Sequence, residues 1–134
     1  MMLDTNIVID LREEDPRWFD WVSRVLVRSN DAVSVSAVVV GELAIKDGTY
    51  QNIVDMLAGI GIRVDPLDAR ATYAAGLAQR LYREAGGTRD MLLGDFLIGG
   101  HALTANSPLV TRDPKPYRRY FPELTLITPE TDHG

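Results

Sequence analysis

Four acidic residues, Asp4, Glu42, Asp95 and Asp113, stand where packing alone has no use for a carboxylate. Asp4 follows directly on Met1-Met2-Leu3 and precedes Thr5-Asn6. If the three apolar residues form a short inner strand, Asp4 lies at its carboxyl end, the edge of a parallel sheet where ligands bind. Asp113 follows Leu109-Val110-Thr111 in the same way. Asp95 has Met91, Leu92, Ile98 and Gly99 at i±4 and i±3, which sets it in the apolar stripe of a helix. No basic residue on that row can pair with it, and a buried carboxylate without compensation takes up a proton or a partner. Glu42 lies among Val38, Val39, Ile45 and Lys46. Two of the four also have plain alternatives. Lys46, at i+4, could pair with Glu42, and Asp113-Pro114 could be a helix N-cap with proline at the first helical position.

Carboxylates gathered in one pocket raise each other's pKa unless a cation neutralises them. Hard divalent ions with oxygen ligands answer that need, and Mg²⁺ keeps waters that a substrate can displace. Such a site suits phosphodiester hydrolysis. Thr5, Asn6 and Thr111 are placed to orient the ligand carboxylates or waters. Arg112, Lys115, Arg118 and Arg119 cluster beyond Asp113 with Tyr117 and Tyr120 interleaved. Phosphate contact with base stacking and a solvated basic turn are equally compatible with that composition. Neither a Ser-His or Cys-His nucleophile nor a glycine-rich phosphate loop is present, since Gly86-Gly87 and Gly99-Gly100 lack the required contexts.

The elements that must position these residues fit within one domain, 1–134, with a frayed tail expected from Pro129. Apolar residues make up 46% of the 134, enough for one core. The absence of cysteine excludes disulfides, thiolate metal sites and thiol catalysis, and suits a reducing cytoplasm. With two histidines, a His-rich zinc site is not expected. No apolar run approaches the roughly 20 residues of a membrane helix, and Asp4 comes too early for a secretory signal. A net charge of −5 argues against a module living by non-specific nucleic-acid affinity. It leaves room for acids gathered around a cation or for a basic partner protein.

Along the chain, Ile7 to Leu11 reads as a short helix, and Asp15-Pro16 as the start of another carrying Trp18, Trp21, Val22, Val25 and Leu26. Ala32 to Val35 reads as a strand, and Ser36 caps a helix to about Lys46. A helix covers Tyr50 to Gly59, a strand Ile62 to Val64, and Asp68 caps a long helix ending at Gly86-Gly87. Asp90 caps Met91 to Leu103. A strand centred on Leu109-Val110, a short basic turn or helix over Pro114 to Tyr120, and a strand Leu124 to Ile127 follow. Strands alternating with helices predict an α/β fold, a three-layer α/β/α sandwich around a mostly parallel sheet.

In this order and at this spacing, Leu3-Asp4-Thr5-Asn6, the helical Glu42, Gly94-Asp95-Phe96-Leu97-Ile98 and Leu109-Val110-Thr111-Arg112-Asp113 resemble a PIN domain over nearly the whole chain. The nearest likeness is to VapC-type toxins of VapBC toxin–antitoxin pairs, the Tyr117 to Pro129 ending included. The resemblance implies a Mg²⁺- or Mn²⁺-dependent endoribonuclease. Asp4 and Asp95 would be its firmest metal ligands, Asp113 would join them or bind a second ion, and Glu42 would complete the cluster and help orient water. It further implies a homodimer held inactive by a VapB-like antitoxin, whose arginine-bearing segment reaches into the acidic site. Gly99-Gly100 departs from the family, which more often has alanines there. Two glycines cost about 1–2 kcal/mol of helix propensity and predict a looser helix near Asp95. Two other readings compete. A non-catalytic PIN-like module binding RNA or protein would pair at least one of the four acids with Lys or Arg. A phosphoacceptor receiver domain would want two adjacent acids after the first strand, where this chain has Asp4 followed by Thr5-Asn6.

Overall fold

A computed structural model of the chain describes residues 1–30, 32–87 and 93–130. Among these residues, five strands are two or three residues long: β1 (Met2–Leu3), β2 (Ser34–Ser36), β3 (Arg63–Asp65), β4 (Leu109–Val110) and β5 (Leu126–Ile127). They form one sheet in the order β3-β2-β1-β4-β5, and every described pair is parallel. So few ladder bonds cannot hold a sheet by themselves. Burial does: Met2, Leu3, Val35, Leu109 and Val110 are all almost fully enclosed.

Among the described residues, seven helices cover the sheet: α1 (Thr5–Glu13), α2 (Phe19–Arg28), α3 (Ala37–Lys46), α4 (Tyr50–Ile60), α5 (Ala69–Glu84), α6 (Leu93–Thr104) and α7 (Lys115–Tyr120). The path β1, β2, β3 steps outward in one direction, and the chain then returns past β1 to β4 and β5. Right-handed crossovers therefore put α1–α4 on one face and α5–α7 on the other, the expected three layers. Among the described residues, no helix is long and apolar enough to cross a membrane.

Local chemistry moves several boundaries from their expected places. α1 starts two residues before Ile7, because the Asp4 side chain accepts the Thr5 N–H at 2.8 Å and caps the helix. α2 starts at Phe19 rather than at Pro16. The Asp15 carboxylate folds back onto the Arg17 N–H (2.9 Å) and guanidinium, making a separate turn ahead of the helix. Ser36 and Asp68 cap α3 and α5 as expected, accepting from Val38 and Ala71 N–H. Asp90, expected as a cap, and Met91 and Leu92 lie outside the described residues, as do 131–134; Pro129 and Glu130 form a turn.

The Gly99-Gly100 pair is the clearest correction. A Cβ on Gly100 would stand 2.6 Å from the Ala71 carbonyl oxygen and 2.8 Å from the Ala75 nitrogen, and one on Gly99 would stand 2.5 Å from the Phe121 ring. α5 presents buried Ala71, Ala75 and Ala78 to this face. The glycines let α6 seat against the α5 backbone, so packing offsets the propensity they lose and holds the helix that carries Asp95. Tyr82, Phe96 and Tyr120 extend the seam, with ring centroids 5.4–6.0 Å apart.

Candidate active site

In an open parallel sheet, a crevice forms where successive connections leave in opposite directions. Here that point lies between β1 and β4, the strands that end in Asp4 and Thr111. The ladder runs on into both residues: Asp4 N–H donates to the Val110 carbonyl at 2.9 Å, and Thr111 N–H to that of Ile127 at 3.1 Å. Their side chains are set side by side by the sheet itself.

Asp4 is only 4% exposed. Its Oδ1 accepts the Thr5 N–H; its Oδ2 accepts the Thr111 hydroxyl at 2.8 Å and, more weakly, the Asn6 amide at 3.4 Å. Thr111 has one hydroxyl proton and gives it to Asp4. Its oxygen then accepts the Asp113 N–H at 3.0 Å and the Asn6 amide at 3.4 Å. Thr5, Asn6 and Thr111 thus meet around Asp4 in the orienting positions anticipated for them. Burial pushes the Asp4 pKa up to about 6, the Asp95 charge adds to the rise, and the hydrogen bonds from Thr111 and Thr5 offset part of it.

Glu42 reaches the same place from α3. Its Oε1 accepts the Thr5 hydroxyl at 2.5 Å. Lys46, the alternative partner, pairs instead with Glu13 at 3.4 Å. Gly94 faces the other oxygen: a Cβ there would stand 2.5 Å from Glu42 Oε2. Gly94 immediately precedes Asp95, so the Glu42 carboxylate stands beside the first described turn of α6. Asp95 is half-buried, in the first described turn of α6.

Tyr117 of α7 joins this group, in place of the base-stacking role weighed for it from its spacing. It is 1% exposed and cannot stack on a base. Its phenol oxygen is buried without a well-formed hydrogen bond, yet lies near enough to Asp4 to help hold that carboxylate ionised. Burial first, then the charges of Asp4, Asp95 and Glu42, push the phenol's own pKa upward. Phe121 at i+4, itself buried, was the available signal that this face of α7 points inward. Asp113 does not belong to that group. It is exposed, and the α7 N-cap position falls on Pro114 without a side-chain cap bond.

Of the four cations, Lys115, Arg118 and Arg119 are exposed. Arg118 stands 3.4 Å from Glu130, and Arg119 lies over the Tyr120 ring at 5.4 Å. Arg112 turns inward onto Asp10, an acid that sequence reasoning passed over. Asp10 is 1% exposed and lies one turn beyond Asn6 on α1.

The donor set around Asp4 is all oxygen and negatively charged, which suits a hard divalent cation. Among the described residues, no three Asp, Glu or His side chains are grouped closely enough to hold one ion. The residues fit an ion carried by two carboxylates, Asp4 and Asp95, and completed by water, as Mg²⁺ prefers.

A family model described as PIN domain matches residues 1–122. No curated protein sequence matches the chain. Several solved structures share its fold. VapBC2 from Rickettsia felis, bound to a DNA fragment from its promoter, superposes with a TM-score of 0.74 at 24% identity, over 95% of this chain and 96% of that one. VapBC-1 from nontypeable Haemophilus influenzae gives 0.74 at 22%, over 95% and 96%. A toxin–antitoxin complex from Klebsiella pneumoniae gives 0.66 at 19%, over 96% of each chain.

Proposed function

The chain belongs to the PIN-domain family, and from that premise we propose that it is a metal-dependent endoribonuclease, the toxin of a toxin–antitoxin pair. One observation carries the reading: Asp4 is buried at the switch point of the sheet, within range of the Asp95 charge, and among the described residues only neutral donors meet its oxygens. A carboxylate in that setting is prepared for a cation rather than for a structural ion pair.

Asp4 and Asp95 hold Mg²⁺ or Mn²⁺ in this reading. When bound, the ion makes hydroxide available near neutral pH and neutralises charge at the phosphoryl oxygens. Thr111, Thr5 and Asn6 fix the direction of the Asp4 oxygens. Glu42, itself fixed by Thr5 and facing Gly94, orients water in the crevice, and Asp113 contributes from the rim. Lys115, Arg118 and Arg119 contact RNA phosphates beside the site.

The structural neighbours are toxin–antitoxin assemblies. By analogy, the cognate partner is a VapB-like antitoxin, and the toxin works as a homodimer in the cytoplasm. A net charge of −5 and an acidic crevice suit an antitoxin segment that inserts arginine. The non-catalytic alternative wanted an acid of the site paired with Lys or Arg; Asp4 takes its bonds from Thr5, Asn6 and Thr111, and Glu42 from Thr5.

The deciding experiment is cleavage of RNA with Mg²⁺ or Mn²⁺ by the wild type, Asp4→Asn and Asp95→Asn. Cleavage by the wild type that disappears with EDTA and in both variants is the expected result. Metal-dependent cleavage persisting in both variants refutes the mechanism.

A further inference from the structure

The Asp10–Arg112 pair lies outside the acidic crevice, and through Asn6 and Thr111 it is connected to it. Asp10 is an α1 residue, 1% exposed, and Arg112 is the first residue after Thr111. The guanidinium grips the carboxylate with two bonds, Nε to Oδ2 at 2.5 Å and Nη2 to Oδ1 at 3.1 Å. The Trp18 ring covers the guanidinium, 5.3 Å from centroid to carbon, leaving the Arg112 side chain 28% exposed. A fork of this kind fixes the orientation of both partners, unlike a point contact from lysine.

Asn6 stands one helical turn before Asp10, so both face the same loop. Its Oδ1 accepts the Arg112 main-chain N–H at 3.3 Å. Its amide donates to Asp4 Oδ2 and Thr111 Oγ1. One face of α1 therefore holds Arg112 by side chain and by main chain. The residues on either side of Arg112 are Thr111, whose hydroxyl is bonded to Asp4, and Asp113, whose N–H is bonded to Thr111. Beside the Thr111 bonds to Asp4 and Ile127, the fork and the Asn6 bond are what hold the loop that leaves this two-residue strand. Arg112 in solvent would uncover Trp18 and leave the buried Asp10 carboxylate unpaired, so its capture by Asp10 ties the main chain between Thr111 and Asp113 to α1.

We propose that Asp10 and Arg112 are positioning residues, a clamp that fixes the Thr111–Asp113 loop against Asp4, and that Arg112 is not a contact for RNA. This rests on the metal-dependent ribonuclease reading. The site it supports is the one that reading describes; the pair itself touches neither substrate nor ion.

The test uses Asp10→Asn and Arg112→Lys, with Asp4→Asn as the control. Arg112→Lys keeps the positive charge and loses the fork; Asp10→Asn keeps the shape and loses the charge. For each protein, kcat and KM are measured separately on an oligoribonucleotide, and Mn²⁺ binding to the protein alone is measured by calorimetry. We expect kcat or Mn²⁺ affinity to fall about 10–100-fold in both variants, as for outer-shell partners generally, with KM within about twofold of wild type. A rise in KM at unchanged kcat in Arg112→Lys would make the arginine an RNA contact and overturn the proposal. Wild-type kcat, KM and Mn²⁺ affinity in both variants would overturn it too. If one variant fails to fold, the other decides; failure of both to fold shows a purely structural pair and also overturns it. A wild type that cleaves no RNA refutes the ribonuclease reading instead, and the Mn²⁺ titrations still report on the clamp.

Discussion

Thr111 donates its only hydroxyl proton to Asp4 across 107 residues of sequence, at 2.8 Å, between two residues that are both buried. Of the groups that hold the Asp4 charge in place, this bond contributes most. A hydrogen bond to a buried charge is worth about 1.5–3 kcal/mol. Thr111→Val keeps the side-chain volume and removes the donor. We expect the Asp4 pKa in the metal-free protein to climb by roughly one unit or more above its value of about 6, read by carboxyl NMR titration. The low-pH limb of the cleavage profile should move the same way. An unchanged Asp4 titration would show that Thr111 does not hold the charge.

Asp4 also sets a pH dependence of stability. Its folded pKa, about 6, lies above the ordinary 3.8, so between those values the folded state retains a proton the unfolded chain has released. The Asp4 contribution to the stability of the metal-free protein is therefore full below about 4 and is lost as pH rises through about 6. The difference in pKa corresponds to about 3 kcal/mol. Asp4→Asn should abolish that part of the slope and be the more stable protein at pH 7 in EDTA, as measured by urea unfolding. Adding Mg²⁺ should stabilise the wild type and leave the variant unmoved. A variant less stable than wild type at pH 7 contradicts the assignment of burial as the dominant cause.

Asp4 and Asp95, the two acids weighed first as metal ligands, stood out in the sequence for physical reasons. Asp4 interrupts an apolar start at a strand end, and Asp95 sits in an apolar helical stripe, so each violates a pattern. Asp10 violates one less clearly. Ile7 at i−3 marks its row, but Glu13 and Glu14 at i+3 and i+4 make the end of α1 look solvated. Its partner is 102 residues away, and no local pattern reports a pairing at that distance. The α1 start was missed because Asp4 was weighed as a ligand and not also as a cap; it serves Thr5 N–H with one oxygen and Thr111 with the other. The acidity of the Asp113-Pro114 step was visible, whereas its exposure depends on how α7 is seated by buried Tyr117 and Phe121.

Gly94 offers a way to move Glu42 alone. A Cβ there would meet the Glu42 Oε2 at 2.5 Å, and that oxygen is at the end of a side chain that can swing. Gly94→Ala should therefore leave stability within about 1 kcal/mol of wild type, the helix gaining propensity as the carboxylate is displaced. Cleavage should fall about tenfold or more if Glu42 orients water, since displacement by an ångström is costly in catalysis. Full activity together with wild-type stability would remove Glu42 from the machinery.

Gly100→Ala separates propensity from packing by sign. On propensity alone, the substitution in the middle of α6 should stabilise the protein by about 1 kcal/mol. The structure predicts the opposite. The added methyl would meet the Ala71 carbonyl oxygen at 2.6 Å and the Ala75 nitrogen at 2.8 Å, both backbone atoms of α5 that cannot swing aside. The helices would have to part, loosening a seam that includes buried Ala102 and Phe96. Overpacking of this kind costs about 1–3 kcal/mol, and we expect the unfolding free energy to fall by that amount, with a lower midpoint. Because α6 also carries Asp95, the separation should reach the crevice, so cleavage should weaken at temperatures well below the midpoint. A stabilised Gly100→Ala would mean that α5 and α6 pack less closely than 2.6 Å implies.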